Sequence, residues 1–520
     1  MRQRYSAIIM SIVIAISMSF SVIPVFAADA EGTPVSTFED LLAMENNPTG
    51  TYYLTADIAA KPNTMLFADD GMPFKGTLNG NGHKITGYSY SDSSEIYGVA
   101  LIGYAENATF KNLTLSNVNI NLKRGSKAAG LVSTANNCTL DGIKTSGTIK
   151  MSGVSNGCAG IVDYAAGSTV IKNCTNGINI TIDVSNTEDD GSSSAYAAGI
   201  ARGLGESANR DAAVLSNCTN TGNISVVNRP TVWGTDGCYA AGIVGNFDSK
   251  NKITGCRNSG NISAVFKDGK TSADLNAKAA GIAISTGYGA GLCHNTGKVN
   301  ISCDIKDHRG ARAAGVATES YKPGALISRC SNRGTVTING YAPYAGEVYA
   351  GGIGGEVAKV SECYNTAKIS AGTGGGSRAG GVAADVKDMR DCYNTGNVYA
   401  KGDLVSGGAG GLAAYAHVYG TYVMNNYSTG IITTSGKTFK GQLIGYYNGS
   451  EACHKVTVKN NYYKTSGKAY GGCDFSSKKY MGKSTKVSAV TSAKCKALKS
   501  SKWVYSKKYK RLILKNNKEV

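Results

Sequence analysis

The chain has 520 residues, of which 67 are glycine and only 8 proline, and 17% are charged. That length exceeds one ordinary globular core. Glycine at about 13% without proline or a three-residue period excludes collagen and suits many tight turns between short strands. The net charge of +18 sits at one end: residues 455–520 hold eighteen Lys and Arg against Asp474 and Glu519, leaving the rest nearly neutral.

Taken in order, the chain opens on Arg2 and Arg4, an apolar run over 7–26 and the small-residue pattern Val25-Phe26-Ala27. These read as a secretory signal peptide over residues 1–27. No second apolar run of membrane length follows, so the mature chain is expected to be exported without a transmembrane anchor. Residues 28–86 read as an N-terminal cap and lead-in strands. Ser36 stands as N-cap with Glu39 three residues on, and Phe38, Leu41 and Leu42 make an apolar stripe, so a short capping helix is expected over 36–44. Thr51-Tyr52-Tyr53-Leu54 begins an extended segment, and the pairs Asn79-Gly80 and Asn81-Gly82 mark tight turns.

Residues 87–447 form a repeat array. One half of the unit is A-[AG]-G-[ILV] and its relatives, as at Ala159-Gly160-Ile161, Ala241-Gly242-Ile243 and Gly352-Ile353. The other is C-x-N-x-G-x-[IV], as at Cys256 to Ile262. The central glycines recur at steps of 29 to 43 residues. Each unit holds three short apolar runs divided by Gly or Asn, which predicts three strands per coil of a parallel β-helix. Stacked coils would place equivalent residues in columns, with Cys and Ile inside and Asn at a left-handed bend, its stacked amides able to hydrogen-bond from coil to coil.

Eight cysteines (Cys138, Cys174, Cys218, Cys256, Cys293, Cys330, Cys363, Cys392) share one repeat position, and no C-x-x-C occurs. Column cysteines are expected to pack as small hydrophobes. Any disulfide is expected among Cys158, Cys238, Cys303, Cys453, Cys473 and Cys495.

Residues 448–520 read as a basic C-terminal capping segment, with a short helix over 488–500 and a terminal hairpin in which Trp503 covers the last coil. Its lysines alternate with aromatics. Lys478, Lys479, Lys502, Lys507, Lys508, Lys510, Arg511, Tyr505 and Tyr509 are therefore candidate contacts for an anionic wall polymer, through a salt-screened attraction. An exported chain is not expected to meet nucleic acid. No L-P-x-T-G sorting signal is present.

The Gly-aliphatic-x-Gly runs, such as Gly242-Ile243-Val244-Gly245, together with C-x-N-x-G-x-[IV] and the lead-in Gly76-Thr77-Leu78-Asn79-Gly80-Asn81-Gly82, resemble the GLUG-motif repeat proteins of bacterial surfaces. The resemblance covers residues 52–447 and a C-terminal stretch at 503–514. It implies an all-β, right-handed parallel β-helix on an exported, often adhesin-like protein, and little about its ligand; a host or environmental glycan or protein is the expected partner of the side wall and variable loops.

Some members of that family join the repeat to a zinc peptidase. Here the five histidines, at 83, 294, 308, 417 and 454, include no H-E-x-x-H pair and read as turn or loop residues. The chain is accordingly expected to be a non-catalytic binding or structural module, with no cofactor and no metal. The alternative is a β-helix polysaccharide lyase or glycoside hydrolase, which requires carboxylates converging in one groove near Asp163, Asp183 or Asp304.

Overall fold

The computed structural model describes residues 31–92, 98–123, 127–153, 157–185, 194–205, 213–229, 237–267, 276–303, 310–340, 347–372, 376–402, 407–416, 422–447, 457–473 and 484–519. The expected signal peptide, Lys478, Lys479, Asp304 and Cys453 lie outside these residues, as do three of the five histidines.

One coil shows how the sequence makes the fold. Gly237–Ala241 is a strand, Gly242-Ile243 a corner, and Val244–Phe247 and Ile253–Thr254 form a second wall. Arg257–Asn258 and Ile262–Phe266 form a third. We call these the entry, middle and exit walls, in chain order. The Gly-aliphatic run is thus a corner between two walls rather than the middle of a strand. The described pairings between coils are parallel, and this coil stacks on the next in register: Ala241 on Ala280, Val244 on Ala283, Ile253 on Ala290, Asn258 on Asn295 and Ile262 on Val299. The entry wall alone has ten strands among the described residues. The all-β parallel β-solenoid expected from the repeat is what the chain forms.

Ile243, Ile253, Cys256 and Ile262 are all buried in one continuous core with their counterparts from other coils. The column glycines are required by close approach. A Cβ on Gly242 would lie 2.1 Å from the Gly281 carbonyl oxygen and 2.5 Å from Asn258 Cγ. No L side chain other than hydrogen fits there.

The Asn column forms the expected coil-to-coil amide ladder but does not take the expected left-handed bend. Asn176, Asn220, Asn258, Asn295, Asn332, Asn365 and Asn394 are buried. Each amide donates to the next, from Asn176 Nδ2 to Asn220 Oδ1 at 2.7 Å and onward at 2.8 Å through Asn394. The same Nδ2 also donates to the carbonyl two residues ahead, as Asn258 does to Gly260 at 2.9 Å. The left-handed residue lies instead immediately before the cysteine: Asn137, Asn173, Asn217, Leu292, Arg329, Glu362 and Asp391 all have φ between 51° and 57°. The column asparagine is therefore a buried hydrogen-bond ladder, which keeps the corner's polar backbone satisfied.

Twelve cysteines are free thiols and buried among the described residues, including Cys158, Cys238, Cys303 and Cys495. Those four had been left open for a bridge and form none.

Parallel pairing begins with Thr33–Val35 on Thr51–Leu54 and ends with Asn461–Tyr463 on Ser484–Lys486, so the ladder runs past both ends of the 87–447 array. The helix, Phe38–Ala43, is shorter than expected and is capped by Thr37 rather than Ser36. Asp40 N donates to Thr37 Oγ1 at 3.1 Å, and Thr37 N returns a bond to Asp40 Oδ2 at 2.9 Å. Ser36 N also donates to Asp40, and these bonds hold the Asp40 carboxyl below its ordinary range.

The basic tail departs most from expectation. No helix forms over 488–500; the segment is a run of turns whose Val490, Cys495 and Leu498 are buried against the exit wall. The hairpin Trp503–Ser506 with Arg511–Leu514 forms, but it lies along the side of the solenoid instead of over its last coil. Trp503 packs on Tyr393 and Tyr427, within a stack in which Tyr364, Tyr393 and Tyr427 rings sit 5.0 Å apart and 7° from parallel. Asn517 Nδ2 reaches the carbonyls of Cys330 and Glu362, both at 2.9 Å. The tail is a lateral brace across coils well inside the array.

Candidate functional site

Where the entry wall meets the middle wall, the outward face of the solenoid is concave. Three residues before each corner glycine, the entry wall presents Tyr196, Tyr239, Lys278, Arg312, Tyr349 and Arg378 in register. Four residues after it, the middle wall presents Asn246, Ser285, Glu319, Glu356, Asp385 and Tyr415. The corner folds these two columns toward each other.

At the C-terminal coils the columns close on themselves. Arg378 Nη1 donates to Tyr349 Oη at 2.7 Å and to Asp385 Oδ2 at 3.1 Å, and its guanidinium lies 4.1 Å from the Tyr415 ring centroid. Arg312 meets Glu319 at 3.2 Å and Glu356 at 3.3 Å. Cation–π contact and ion pairing together fill the corner there.

Toward the middle coils it opens into a cleft of about 570 Å³, lined among others by Tyr196, Tyr239, Ile284, Tyr321, Asp248 and Glu319. Gly203 and Gly245 also line it and carry no side chain to fill it. Tyr196 and Tyr239 stack with centroids 4.3 Å apart, and Tyr196 and Tyr321 remain 37% and 58% exposed, so both rings keep a free surface. Each lysine of the cleft is matched by a carboxylate, Lys278 by Glu319 at 2.6 Å and Lys322 by Asp248. Beside it, Arg202 grips Asp163 through two bonds of 2.7 and 3.1 Å. Burial pushes the Asp163 carboxyl above its ordinary range in spite of that guanidinium.

Of the carboxylates named from the sequence, the two described ones, Asp163 and Asp183, do not converge. Asp163 is buried under Arg202, whereas Asp183 pairs with Arg229 on the exit wall. The cleft instead brings in Asp248 and Glu319, which sequence reasoning passed over. The signal was present as a fixed offset from the corner glycine, in positions that look like ordinary solvent-facing repeat residues.

The basic candidates divide. Lys502 Nζ pairs with Glu362 at 2.6 Å, and Arg511 Nη2 pairs with Glu519 at 2.6 and 2.9 Å, so both charges hold the brace. Tyr509 lies beneath Lys508 and Arg511, each 5.0 Å from its ring centroid. Lys507, Lys508 and Lys510 are exposed at the hairpin tip with Tyr505.

Metal chemistry was tested on the donors. His294, expected in a turn, stands in the exit wall with its Nδ1 2.8 Å from Ser331 Oγ; burial first and Arg257 second lower its pKa. Among the described residues no group of three or more His, Cys, Asp or Glu side chains could hold a metal ion. Those residues therefore do not fit a catalytic zinc.

Residues 26–147 match the family model for the N-terminal region of the M26 IgA1-specific metallo-endopeptidases. Halomucin of Haloquadratum walsbyi is 34% identical over 140 residues, which is 23% of this chain and 2% of halomucin. Among solved structures, an IgA1 protease is 17% identical with a TM-score of 0.33, covering 62% of this chain and 22% of its own. A Bacteroides ovatus protein assigned as an immunoglobulin A1 protease is 12% identical with a TM-score of 0.19, covering 94% of each. The chain thus spans only a small part of the first two. The M26 match overturns the expectation of a non-enzyme, because it points to a protease. What stands from these findings is a β-helical chain whose residues 26–147 resemble the N-terminal region of that peptidase family. Among the described residues no helix is long and apolar enough to cross a membrane.

Proposed function

We propose that this protein serves in the proteolysis of an IgA1-type glycoprotein at the bacterial surface, with its solenoid of GLUG-type repeats engaging the substrate. The observation that carries this reading is the M26 match over residues 26–147, which spans the first coils of the solenoid. The solenoid suits the task because its coils form one rigid, continuously hydrogen-bonded rod, and its corner line offers a long contact surface. No described residue is assigned a catalytic step. The test is incubation of the full chain with human IgA1, read by gel for fragments and by sedimentation for binding. Cleavage that 1,10-phenanthroline stops, or saturable binding, supports the reading. Neither cleavage nor binding overturns it.

A second reading concerns attachment. The exposed Lys507, Lys508 and Lys510 form a compact cationic tip on a hairpin that is itself fixed to the solenoid. We propose that this tip rests on anionic wall polymer. At about 1 M salt the Debye length falls to about 3 Å, so a high-salt wash is expected to strip the protein from cells. Retention after such a wash would remove the electrostatic account.

A further inference from the structure

We propose that the corner cleft between the entry and middle walls is a binding site for a neutral saccharide. This goes beyond the proteolytic reading and stands on the cleft alone.

Two observations select the ligand class. First, the cleft carries exposed aromatic surface among the described residues: Tyr196, 37% exposed and stacked on Tyr239, and Tyr321, 58% exposed. A sugar ring presents C–H faces to such rings and hydroxyls at its edge, so it uses the apolar body and polar surroundings together. Second, each cation of the lining has a carboxylate partner, Lys278 with Glu319, Lys322 with Asp248, and Arg202 with Asp163 beneath it. A phosphate, sulfate or uronate ligand would need surplus cation. A neutral hydroxyl can instead donate to a paired carboxylate while accepting from the lysine beside it.

An extended peptide fits less well. Strand addition needs a free sheet edge, whereas both strand sets flanking the cleft are paired with coils above and below. The volume, about 570 Å³, lies within the range of small-ligand sites.

The experiment is a glycan array probed with the full chain. It carries neutral hexose and N-acetylhexosamine oligomers beside sulfated and uronate-containing ones, and hits are followed by calorimetry. Binding of a neutral oligomer is expected, unchanged between about 0.05 and about 0.5 M salt. Tyr321→Ala should weaken it roughly five- to tenfold, since one aromatic contact is worth about 1 kcal/mol. Tyr321 is exposed, so that variant keeps the fold, and Ile431→Ala, remote and 59% exposed, serves as the control. Binding confined to anionic oligomers and lost in salt overturns the proposal. So does the absence of any bound glycan, or binding that Tyr321→Ala and Tyr196→Ala leave intact. IgA1 cleavage is scored separately, so the two readings can fail independently.

Discussion

Two residue positions in each coil carry opposite kinds of constraint. Gly242 must be glycine because the next coil's carbonyl stands 2.1 Å from where its Cβ would be. Gly242→Ala forces two coils apart at a packed corner and should cost roughly 2–3 kcal/mol, read as a drop in the thermal midpoint. The residue before the cysteine has the reverse problem, since its left-handed backbone favours Asn or Gly but not a branched side chain. Leu292, at φ 57° and 37% exposed, occupies that position where Asn217 sits in an earlier coil. Leu292→Asn is therefore expected to stabilise by about 0.5–1 kcal/mol, and Asn217→Leu to lose a similar amount. Equal midpoints for wild type and both variants would refute this. The glycine was legible in the sequence because it recurs. The left-handed position was not, because Asn, Leu, Arg, Glu and Asp all occupy it, and its conformation comes from the coil's geometry.

At the scale of elements, the C-terminal hairpin shows where the sequence stops being informative. Trp503 and the flanking aliphatic strand segments announce a hairpin, but nothing in their spacing says which surface receives it. That surface is a column of tyrosines at 364, 393 and 427, which follow Cys363, Cys392 and, where an asparagine takes the cysteine's place, Asn426. The contact is specific: Tyr393 Oη donates to Glu519 at 2.6 Å and Tyr427 Oη to the Leu512 carbonyl at 2.6 Å. Trp503→Ala should cost about 3–5 kcal/mol of brace stability. Because coils depend mainly on their neighbours, the loss should be local. Hydrogen exchange is expected to rise through 484–519 while the coils before residue 330 keep their protection. A uniform loss across the solenoid would mean that the brace supports the whole array. The same packing explains why the basic candidates divide, since a charge needed to seat the hairpin is not available to a partner.

For the whole molecule, columns set what is stable and what is left for binding. Inward columns were readable because their chemistry repeats, as Cys, Ile and Asn do. The corner cleft was not, because its two outward columns change from Tyr to Lys to Arg and from Asn to Glu to Tyr, and only folding brings them face to face. The cysteine column supplies a property that belongs to the complete stack. Its thiols are buried, hydrogen-bonded along the solenoid as Cys293 N is to Cys330 Sγ at 3.4 Å, and unbridged among the described residues. Burial pushes the Cys138 thiol up to about 11 and those of Cys330 and Cys363 well above their ordinary range, which disfavours the reactive thiolate there; hydrogen bonds from neighbouring column thiols draw Cys218 and Cys293 the other way, and for those two burial alone bars the reagent. The folded protein should therefore leave its twelve described cysteines, eight in the column and four outside it, unlabelled by iodoacetamide at neutral pH, and all twelve should label after denaturation. Millimolar dithiothreitol should leave the melting transition unmoved. A large downward shift in reductant would mean that bridges carry part of the stability. In that case the solenoid would owe its rigidity to cross-links as well as to the asparagine ladder and the core.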